Sequence, residues 1–353
     1  MRILFYLGYQ KEEFNKTSFD KGLGLGGSEI AATHVAHQLA HFGHQVYVSG
    51  SVKAERYDTV TWLPTRDLHR NHSDQFDVII AVNYIHAAVE FKDWHAKKIF
   101  WAHNTDYHKW YKGELLEHSE QYLEWFDRFV CLTEWHREEW CNRYDILPEE
   151  VQIIGNGIDP STFIGKPKKK KNSFIWSSAP ERGLEELLNY WPNIRYNIPD
   201  ATLNIFTPSY ALNQLEHIAD KLNVLRSHGV ALHGNVSQEA LHKAMLEAEY
   251  WPYLTQYEET YCITALEMQY AKVLPITTQV AALKETVHSG IKLDYNETVF
   301  HLAIELLKRT SSELKAKSVA QSYEWAKRQS WQVRALEWHK LVKEYDGTRK
   351  RYI

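Results

Sequence analysis

Two glutamates, Glu259 and Glu267, flank the start of a predicted helix, and their spacing suits the binding of a polyhydroxylated ligand. Glu267 would lie about two turns into the helix, on the face that also carries Ile263 and Tyr270. A carboxylate there can accept hydrogen bonds from two vicinal hydroxyls, as carboxylates do on ribose. The alternative interpretation is structural, because the helix dipole favours a glutamate at a helix start and the second glutamate would then lie on the surface.

Backbone amides in two segments could bind phosphate. The first N–H groups of a helix have no partner within the helix, and here they belong to Thr260, Tyr261 and Cys262. The glycine-rich segment Gly22–Gly27 leads directly into a second predicted helix at Ser28, and its glycines would let the backbone approach a ligand closely. It has neither the Gly-Lys-Ser of a P-loop nor the tight turn of a dinucleotide fingerprint. The competing interpretation is therefore a flexible loop followed by a helix that Ser28 caps.

Apolar runs alternate with segments of helical periodicity along the chain. Ser28–Phe42 has helical spacing and stops before Gly43, a residue type that commonly follows a helix. Phe76–Val82 is almost entirely apolar, which is typical of a strand buried on both faces of a parallel sheet. The same alternation restarts in the second half, so we predict two successive parallel α/β domains of Rossmann-like type. The other predicted strands are Arg2–Leu7, Gln45–Ser49, Lys98–Ala102, Arg128–Leu132, Phe174–Ser177, Ala201–Phe206, Val230–Leu232, Tyr250–Leu254 and Val273–Thr277. The other predicted helices are Gly183–Tyr190, a stretch from Ala211, Gln238–Ala248 and Cys262–Tyr270.

A change of composition separates the two halves. Turn residues occupy Gly155–Gly157, and the basic run Lys166–Lys171 has no apolar residue. We interpret this run as a solvated linker, with attraction to an acidic membrane surface as the alternative. Apolar residues near the C-terminus form a stripe on a final helix that could pack across both domains; they are Trp331, Leu336, Trp338 and Leu341. The predicted divisions are an N-terminal domain at 1–155, a linker at 156–172, a C-terminal domain at 173–328 and a crossover helix at 329–353.

Composition excludes several classes of protein. The 353 residues carry 41 basic and 45 acidic side chains, so a net charge of −4 gives no field that would attract nucleic acid. No apolar run approaches the ~20 residues of a membrane-spanning helix. The 3 cysteines are too few and too scattered for a disulfide framework or a CxxC metal site. We therefore expect a cytoplasmic enzyme.

Four motifs in the correct order resemble the family 4 type of glycosyltransferases. The motifs are GGSE after the first strand, IIGNGID at the domain junction, APERGLEELL after the next strand and ETYCITALE near residue 260. The resemblance runs from Met1 to about Glu285, and the final helix fits the C-terminal crossover of the family. It implies the GT-B fold, in which two Rossmann-like domains face each other across a cleft and a C-terminal helix crosses back to the N-terminal domain. The implied activity is transfer of a sugar from a nucleoside-diphosphate sugar with retention of configuration.

The resemblance also implies roles for individual residues. Arg182 would bind the donor diphosphate, where its fixed fork of donors suits phosphate geometry. Glu259 would face hydroxyls of the transferred sugar, Glu267 would hold the ribose, and His103 would lie near the C6 oxygen of the sugar. Further amides for the diphosphate and the sugar would come from Gly26 and Gly27 in the N-terminal domain and from Thr260, Tyr261, Cys262 and Ile263 in the C-terminal domain.

The sequence departs from the family pattern in two places. The family often has a second basic residue shortly before Arg182, but this chain has Ser177 and Ser178 there, which cannot neutralise phosphate. Cys262 stands where glycine is frequent, and since only its amide is needed we expect no loss. No DxD occurs in the sequence, so we expect neither a metal ion nor a cofactor. The departing phosphate oxygen would take the acceptor proton, so we assign no general base.

The sequence leaves the exact substrates and two rival functions open. A hexose donor carrying UDP rather than GDP is our expectation, with a hydroxyl of a glycan, glycolipid, glycoprotein or small molecule as acceptor. The aromatic segment Tyr107–Phe126 is where we would place acceptor contacts, although core packing explains it equally well. The rivals are a sugar-nucleotide hydrolase or epimerase of the same architecture and a non-catalytic sugar-nucleotide or glycan-binding protein. The oligomeric state is not predicted.

Overall fold

The computed structural model describes residues 1–8, 26–57, 59–72, 74–111, 114–207 and 216–346. It divides into two compact units, one of Met1–Gly157 with Trp331–Ile353 and the other of Ile158–Ser330. Most of the glycine-rich segment and the start of the helix expected from Ala211 lie outside the described residues. Within the described residues, no helix is both long enough and apolar enough to cross a bilayer.

The N-terminal unit is built on a parallel sheet. Its strands are β1 (Arg2–Tyr6), β2 (Gln45–Gly50), β3 (Glu55–Tyr57), β4 (Val60–Pro64), β5 (Val78–Val82), β6 (Lys97–Trp101), β7 (Trp110–Tyr111), β8 (Glu114–Leu115), β9 (Arg128–Cys131) and β10 (Val151–Ile153). Eight of them pair in the order β10-β9-β6-β5-β1-β2-β4-β3, while β7 and β8 form a separate hairpin. All pairs of the large sheet are parallel except β3 with β4. Every residue of β5 is buried, as its apolar composition predicts.

Helices cover this sheet. They are α1 (Gly27–His41), α2 (Thr65–His72), α3 (Ala87–Glu90), α4 (Glu134–Tyr144) and, from the C-terminus of the chain, α12 (Trp331–Lys343). Helix α12 packs against α1, so the final helix returns to the N-terminal unit as the resemblance implies. Trp331, Trp338 and Leu341 are buried in this contact face, but Leu336 is 46% exposed. The expected stripe is therefore wrong at Leu336, because Ala335 occupies the buried position of that turn.

The C-terminal unit repeats the same construction. Its strands are β11 (Ser173–Ser177), β12 (Thr202–Phe206), β13 (Val230–Gly234), β14 (Tyr250–Tyr253), β15 (Leu274–Thr278) and β16 (Ile291–Leu293). They form a six-stranded parallel sheet in the order β13-β12-β11-β14-β15-β16. Its helices are α5 (Leu184–Asn197), α6 (Ala219–Arg226), α7 (Gln238–Glu247), α8 (Ile263–Tyr270), α9 (Leu283–Thr286), α10 (Val299–Arg309) and α11 (Ser312–Ala326).

The segment expected to be a linker is part of the C-terminal unit from Ile158 onwards. Within the basic run, Lys169 turns inward and its Nζ donates hydrogen bonds to the carbonyls of Met245 and Ala271, at 3.2 and 2.7 Å. Burial lowers the pKa of Lys169 to about 7. The expectation of a uniformly solvated run is therefore wrong for Lys169, since its ammonium binds carbonyls at the C-terminal ends of α7 and α8.

Candidate functional site

A hydrogen-bonded ion pair joins Arg182 and Glu259 in the C-terminal unit. Arg182 ends a 3-10 turn that follows β11, and Gly183 then adopts a left-handed φ of 109°, a conformation that favours glycine, before α5 begins. Nη1 of Arg182 lies 2.7 Å from Oε1 of Glu259. The side chain of Glu259 is only 6% exposed, while that of Arg182 is 31% exposed. The pair thus consists of a buried carboxylate and a guanidinium that solvent can still reach.

Tyr253 completes the surroundings of Glu259. This tyrosine ends β14, and its hydroxyl donates to the same oxygen, Oε1, at 2.5 Å. The backbone amide of Ala282 donates to the carbonyl of Glu259 at 3.1 Å. Ser178 Oγ lies 3.4 Å from the Tyr253 hydroxyl. Because both side-chain donors use Oε1, the orientation of the carboxylate is restrained, and among the described residues no side chain is seen to donate to its second oxygen.

Electrostatics keep Arg182 ionised. Burial acts to lower the pKa of Arg182, but the charge of Glu259 and smaller contributions from Tyr253, Tyr257 and Cys262 together outweigh burial, and the net shift is upward. Burial and the same carboxylate raise the pKa of Tyr253 well above its usual value, so its hydroxyl remains a donor. The ring of Tyr257 lies under the guanidinium, 4.5 Å from its central carbon, in a cation–π contact. Arg182 is therefore a permanent cation held between a carboxylate and an aromatic ring.

The loop from Glu259 to α8 ends in an unusual helix start. Cys262 is the N-cap and has a left-handed φ of 67°, and no side chain caps the helix. The amide of Ile263 thus lies at the positive end of the α8 dipole, so the helix begins later than the sequence predicted when it assigned the first amides to Thr260, Tyr261 and Cys262. Burial raises the pKa of the Cys262 thiol well above its usual value, which opposes a nucleophilic role. Thr260 and Tyr261 lie in the preceding loop, and Tyr261 is buried.

Glu267 lies on the partly exposed face of α8, together with Ile263 and Tyr270 as predicted. Its side chain is 17% exposed, and its Oε1 lies 3.3 Å from Nε2 of His242. The ring of Phe163 stacks on this imidazole with centroids 4.2 Å apart. The C-terminal unit therefore brings Arg182, Glu259 and the start of α8 into one group, with Glu267 further along the same helix.

Gly26 and Gly27 form the start of α1 in the N-terminal unit. Gly26 is the N-cap and no side chain caps the helix. A Cβ added at Gly26 would lie 2.6 Å from Oε2 of Glu29, so any larger residue must displace that carboxylate. Gly26 has no side chain of its own, but the Glu29 carboxylate lies beside this helix start and would have to move for a phosphate to approach closely.

His103 follows β6 at the carboxyl end of the N-terminal sheet and is almost fully buried. Its amide donates to Oδ1 of Asn83 at 2.6 Å, and Asn83 itself has a left-handed φ of 64°, which asparagine tolerates better than most residues. Burial, with a smaller contribution from His136, lowers the pKa of His103 to about 3. His103 is therefore a neutral imidazole at physiological pH.

The sequence did not single out three residues that the structure places beside the predicted ones. They are Tyr253, Tyr257 and His242. Tyr257 contacts Arg182 and His242 contacts Glu267, and both partners are distant in the sequence. The available signal was the position of Tyr253 at the end of a predicted strand, where open α/β sheets bind ligands. Ser177 is buried, and neither it nor Ser178 supplies a charge.

The aromatic segment expected to contact the acceptor is largely structural. Tyr107 and Phe126 are buried in the core of the N-terminal unit, and the Tyr111 hydroxyl donates to Oε2 of Glu90 at 2.5 Å. Trp125 is the exception, at 44% exposure. The side chain of Trp110 lies outside the described residues.

Comparison with known proteins gives one family match and many structural similarities. Residues 25–162 match the model of Glycosyltransferase Family 4. No curated protein gives a significant sequence match. Solved structures that share the fold at low identity include a glycosyltransferase from Rickettsia africae ESF-5, with 13% identity, a TM-score of 0.74 and 99% of each chain covered. HepE from Anabaena has 11% identity and a TM-score of 0.72, with 98% of this chain and 100% of HepE covered.

Sucrose-phosphate synthase from Thermosynechococcus elongatus is similar to the same degree, with 13% identity and a TM-score of 0.72 over 99% of this chain and 100% of that enzyme. Identities this low show a shared fold, and that fold extends over both units. The family match covers most of the N-terminal unit, the part of the chain that contains α1 and His103. The chain thus has the GT-B fold over both units, and within the N-terminal unit residues 25–162 match the Glycosyltransferase Family 4 model.

Proposed function

We propose that this protein is a glycosyltransferase that transfers a hexose from a UDP-sugar to an acceptor hydroxyl, with retention of anomeric configuration and without a metal ion. The observation that carries the proposal is the Arg182–Glu259 pair next to the open start of α8. A fixed cation and backbone amides can stabilise a departing diphosphate, while a buried carboxylate can bind sugar hydroxyls. HepE, which shares the fold, has been crystallised with UDP and with UDP-glucose, and this supports UDP over GDP.

Each residue of the C-terminal unit has a distinct part in this proposal. Breaking the anomeric bond develops negative charge on the diphosphate, which Arg182 and the amides of Cys262 and Ile263 stabilise. Glu259 uses the oxygen that Tyr253 and Arg182 leave open to bind hydroxyls of the sugar. Glu267 accepts hydrogen bonds from the ribose. The departing phosphate oxygen takes the acceptor proton, so the mechanism needs no separate general base.

The roles of the remaining predicted residues follow from the family resemblance. Gly26 and Gly27 offer amides to the diphosphate, and Thr260 and Tyr261 offer amides to the distal phosphate and the sugar. His103, as a neutral ring, can exchange a hydrogen bond with the C6 oxygen but cannot contribute a charge. Ser178 supplies a hydrogen bond in place of the second basic residue.

We further propose a cytoplasmic location and a glycan, glycolipid, glycoprotein or small-molecule acceptor. All 3 cysteines are free thiols, which suits a reducing compartment. The rival functions make different demands on the same site. A hydrolase or epimerase would turn over the donor rapidly without acceptor, and a non-catalytic binder would not need a cation fixed beside the sugar-binding carboxylate.

A thermal-shift panel of nucleotide sugars tests the proposal. A ligand that binds only the folded protein stabilises it by RT ln(1 + [L]/Kd), so the correct donor should add about 2–3 kcal/mol at a hundredfold excess over Kd. We expect UDP-sugars to stabilise the protein more than GDP-sugars or free hexoses do. If no nucleotide or nucleotide sugar shifts the melting temperature, the proposed function is wrong.

A further inference from the structure

His242 is a buried histidine that the proposed mechanism does not use. It lies on α7, where Ser237 caps the helix through a hydrogen bond from the amide of Ala240. The side chain is 6% exposed, and only His242 and Met245 are buried residues of this helix. Its Nε2 lies 3.3 Å from Oε1 of Glu267. A buried polar ring in contact with a proposed ligand-binding carboxylate needs a physical explanation.

Aromatic packing fixes the orientation of this imidazole. Phe163 lies almost parallel to it, with an interplanar angle of 16° and centroids 4.2 Å apart. Tyr270 packs edge-on against the ring of Phe163, with the two ring centroids 4.9 Å apart. Rotation of the imidazole out of its plane would disrupt this stack, so packing sets the plane of the ring and the hydrogen bond sets the direction of Nε2.

The hydrogen-bond geometry assigns the proton of the ring. Nδ1 of His242 is buried and has no hydrogen-bond partner among the described residues. A proton on Nδ1 would be an unsatisfied buried donor, whereas a carboxylate is an acceptor only. The proton therefore lies on Nε2, and His242 donates to Oε1 of Glu267. This bond restrains the rotation of the carboxylate and determines which lone pairs remain for another donor.

We propose that His242 is a positioning residue that orients Glu267 toward the diol of the donor ribose. This inference rests on the proposed function, because it assigns the ligand of Glu267. The side chain of Glu267 is 17% exposed, so solvent reaches part of it while its Oε1 contacts His242. A carboxylate that receives two vicinal hydroxyls must be held in one orientation, since each hydroxyl needs its own lone pair.

Two variants of His242 separate this role from simple packing. His242→Phe keeps a ring for the stack with Phe163 but removes the donor, whereas His242→Gln keeps a donor and removes the ring. The probes are UDP and 2′,3′-dideoxy-UDP, which lacks the diol, with affinities measured by calorimetry on the full chain. His288→Phe is the matched control, because His288 also stacks on an aromatic ring, that of Trp325.

We expect His242→Phe to weaken UDP binding about five- to tenfold, which is less than the loss of a direct hydrogen bond to a charged group because His242 acts through Glu267. The affinity for the dideoxy analogue should stay within about twofold of the wild-type value, and His242→Gln should recover part of the UDP affinity. An equal loss for both ligands, or wild-type UDP affinity in His242→Phe, would overturn the inference and leave the proposed function standing. A wild-type protein that binds the two ligands equally, or binds neither, would contradict the ribose role itself.

Discussion

Arg182 and Glu259 form a 2.7 Å ion pair although 77 positions separate them in the sequence. Because Tyr253 donates to the same carboxylate oxygen, the three side chains form one connected group. Substitution of Arg182 would leave a nearly buried carboxylate without its cation, so function and stability are coupled at this position.

Replacing Arg182 with alanine should lower both activity and stability. We expect kcat/KM to fall at least about a hundredfold, because the leaving diphosphate loses a charged contact. The free energy of unfolding should fall by about 1–3 kcal/mol, because Glu259 loses a charged donor. The double variant Arg182→Ala with Glu259→Gln should regain stability but not activity. Near-normal kcat/KM in the single variant would refute the assignment.

Removing the Tyr253 hydroxyl tests whether the orientation of Glu259 matters. Tyr253→Phe should lower kcat about five- to twentyfold while changing donor KM little, because the carboxylate contacts the sugar that changes during reaction. Tyr190→Phe is the matched control, since the Tyr190 hydroxyl is buried without a hydrogen-bond partner among the described residues. If the two variants have the same steady-state kinetics, Tyr253 has only a packing role.

Two buried histidines make the N-terminal unit sensitive to acid. Burial lowers the pKa of His136 to about 4 and that of His103 to about 3. Nδ1 of His136 accepts from the amide of Leu132, and Nε2 lies 2.9 Å from the carbonyl of Asn104, so the neutral ring uses both nitrogens. The unfolded chain binds protons below pH ~6.5 that the folded chain does not. Stability is therefore greatest above that pH and falls as the pH drops toward about 4.

Urea unfolding at pH 7 and pH 5 measures this effect. Each histidine should contribute a loss of about 2 kcal/mol between these two values. Glutamine does not titrate, so in His136→Gln the loss of unfolding free energy between pH 7 and pH 5 should be smaller than in the wild type by about 2 kcal/mol. This holds even if the variant is less stable at pH 7. His95→Gln is the control, because His95 is exposed. An identical pH dependence in wild type and His136→Gln would exclude this origin.

Chelation tests the prediction of a metal-independent reaction. The proposed partners of the diphosphate are Arg182 and helix amides, so activity should survive an excess of EDTA. The comparison is the initial rate with EDTA against the rate with added Mg²⁺ or Mn²⁺. Complete loss of activity on chelation, restored by either ion, would mean that a cation replaces the second basic residue that is missing before Arg182.

The fold could be predicted from the sequence because its signals are local. The fully apolar Val78–Val82 and the helix that stops before Gly43 each follow from neighbouring residues. The division near Gly157 also follows turn chemistry. Lys169 was misjudged because its ammonium binds carbonyls about 75 and 100 residues away, and composition alone carries no signal for that contact.

The candidate site could be predicted only in part. The family resemblance singled out Arg182, Glu259 and Glu267, and helical periodicity correctly placed Glu267 on the face of α8 that carries Ile263 and Tyr270. The pairing of Arg182 with Glu259 depends on how β11 and β14 lie side by side, so it required the three-dimensional structure. The contact between His242 and Glu267 depends on how α7 and α8 pack together, so the sequence did not predict it either.

Binding of free UDP to two glutamine variants tests the central claim most directly. Glu267 is proposed to hold the ribose, which UDP contains, and Glu259 to hold the sugar, which UDP lacks. Calorimetry should show UDP affinity at least about tenfold weaker in Glu267→Gln and nearly unchanged in Glu259→Gln. Loss of affinity in Glu259→Gln with retention in Glu267→Gln would contradict the account, because the two carboxylates would then have the opposite ligands.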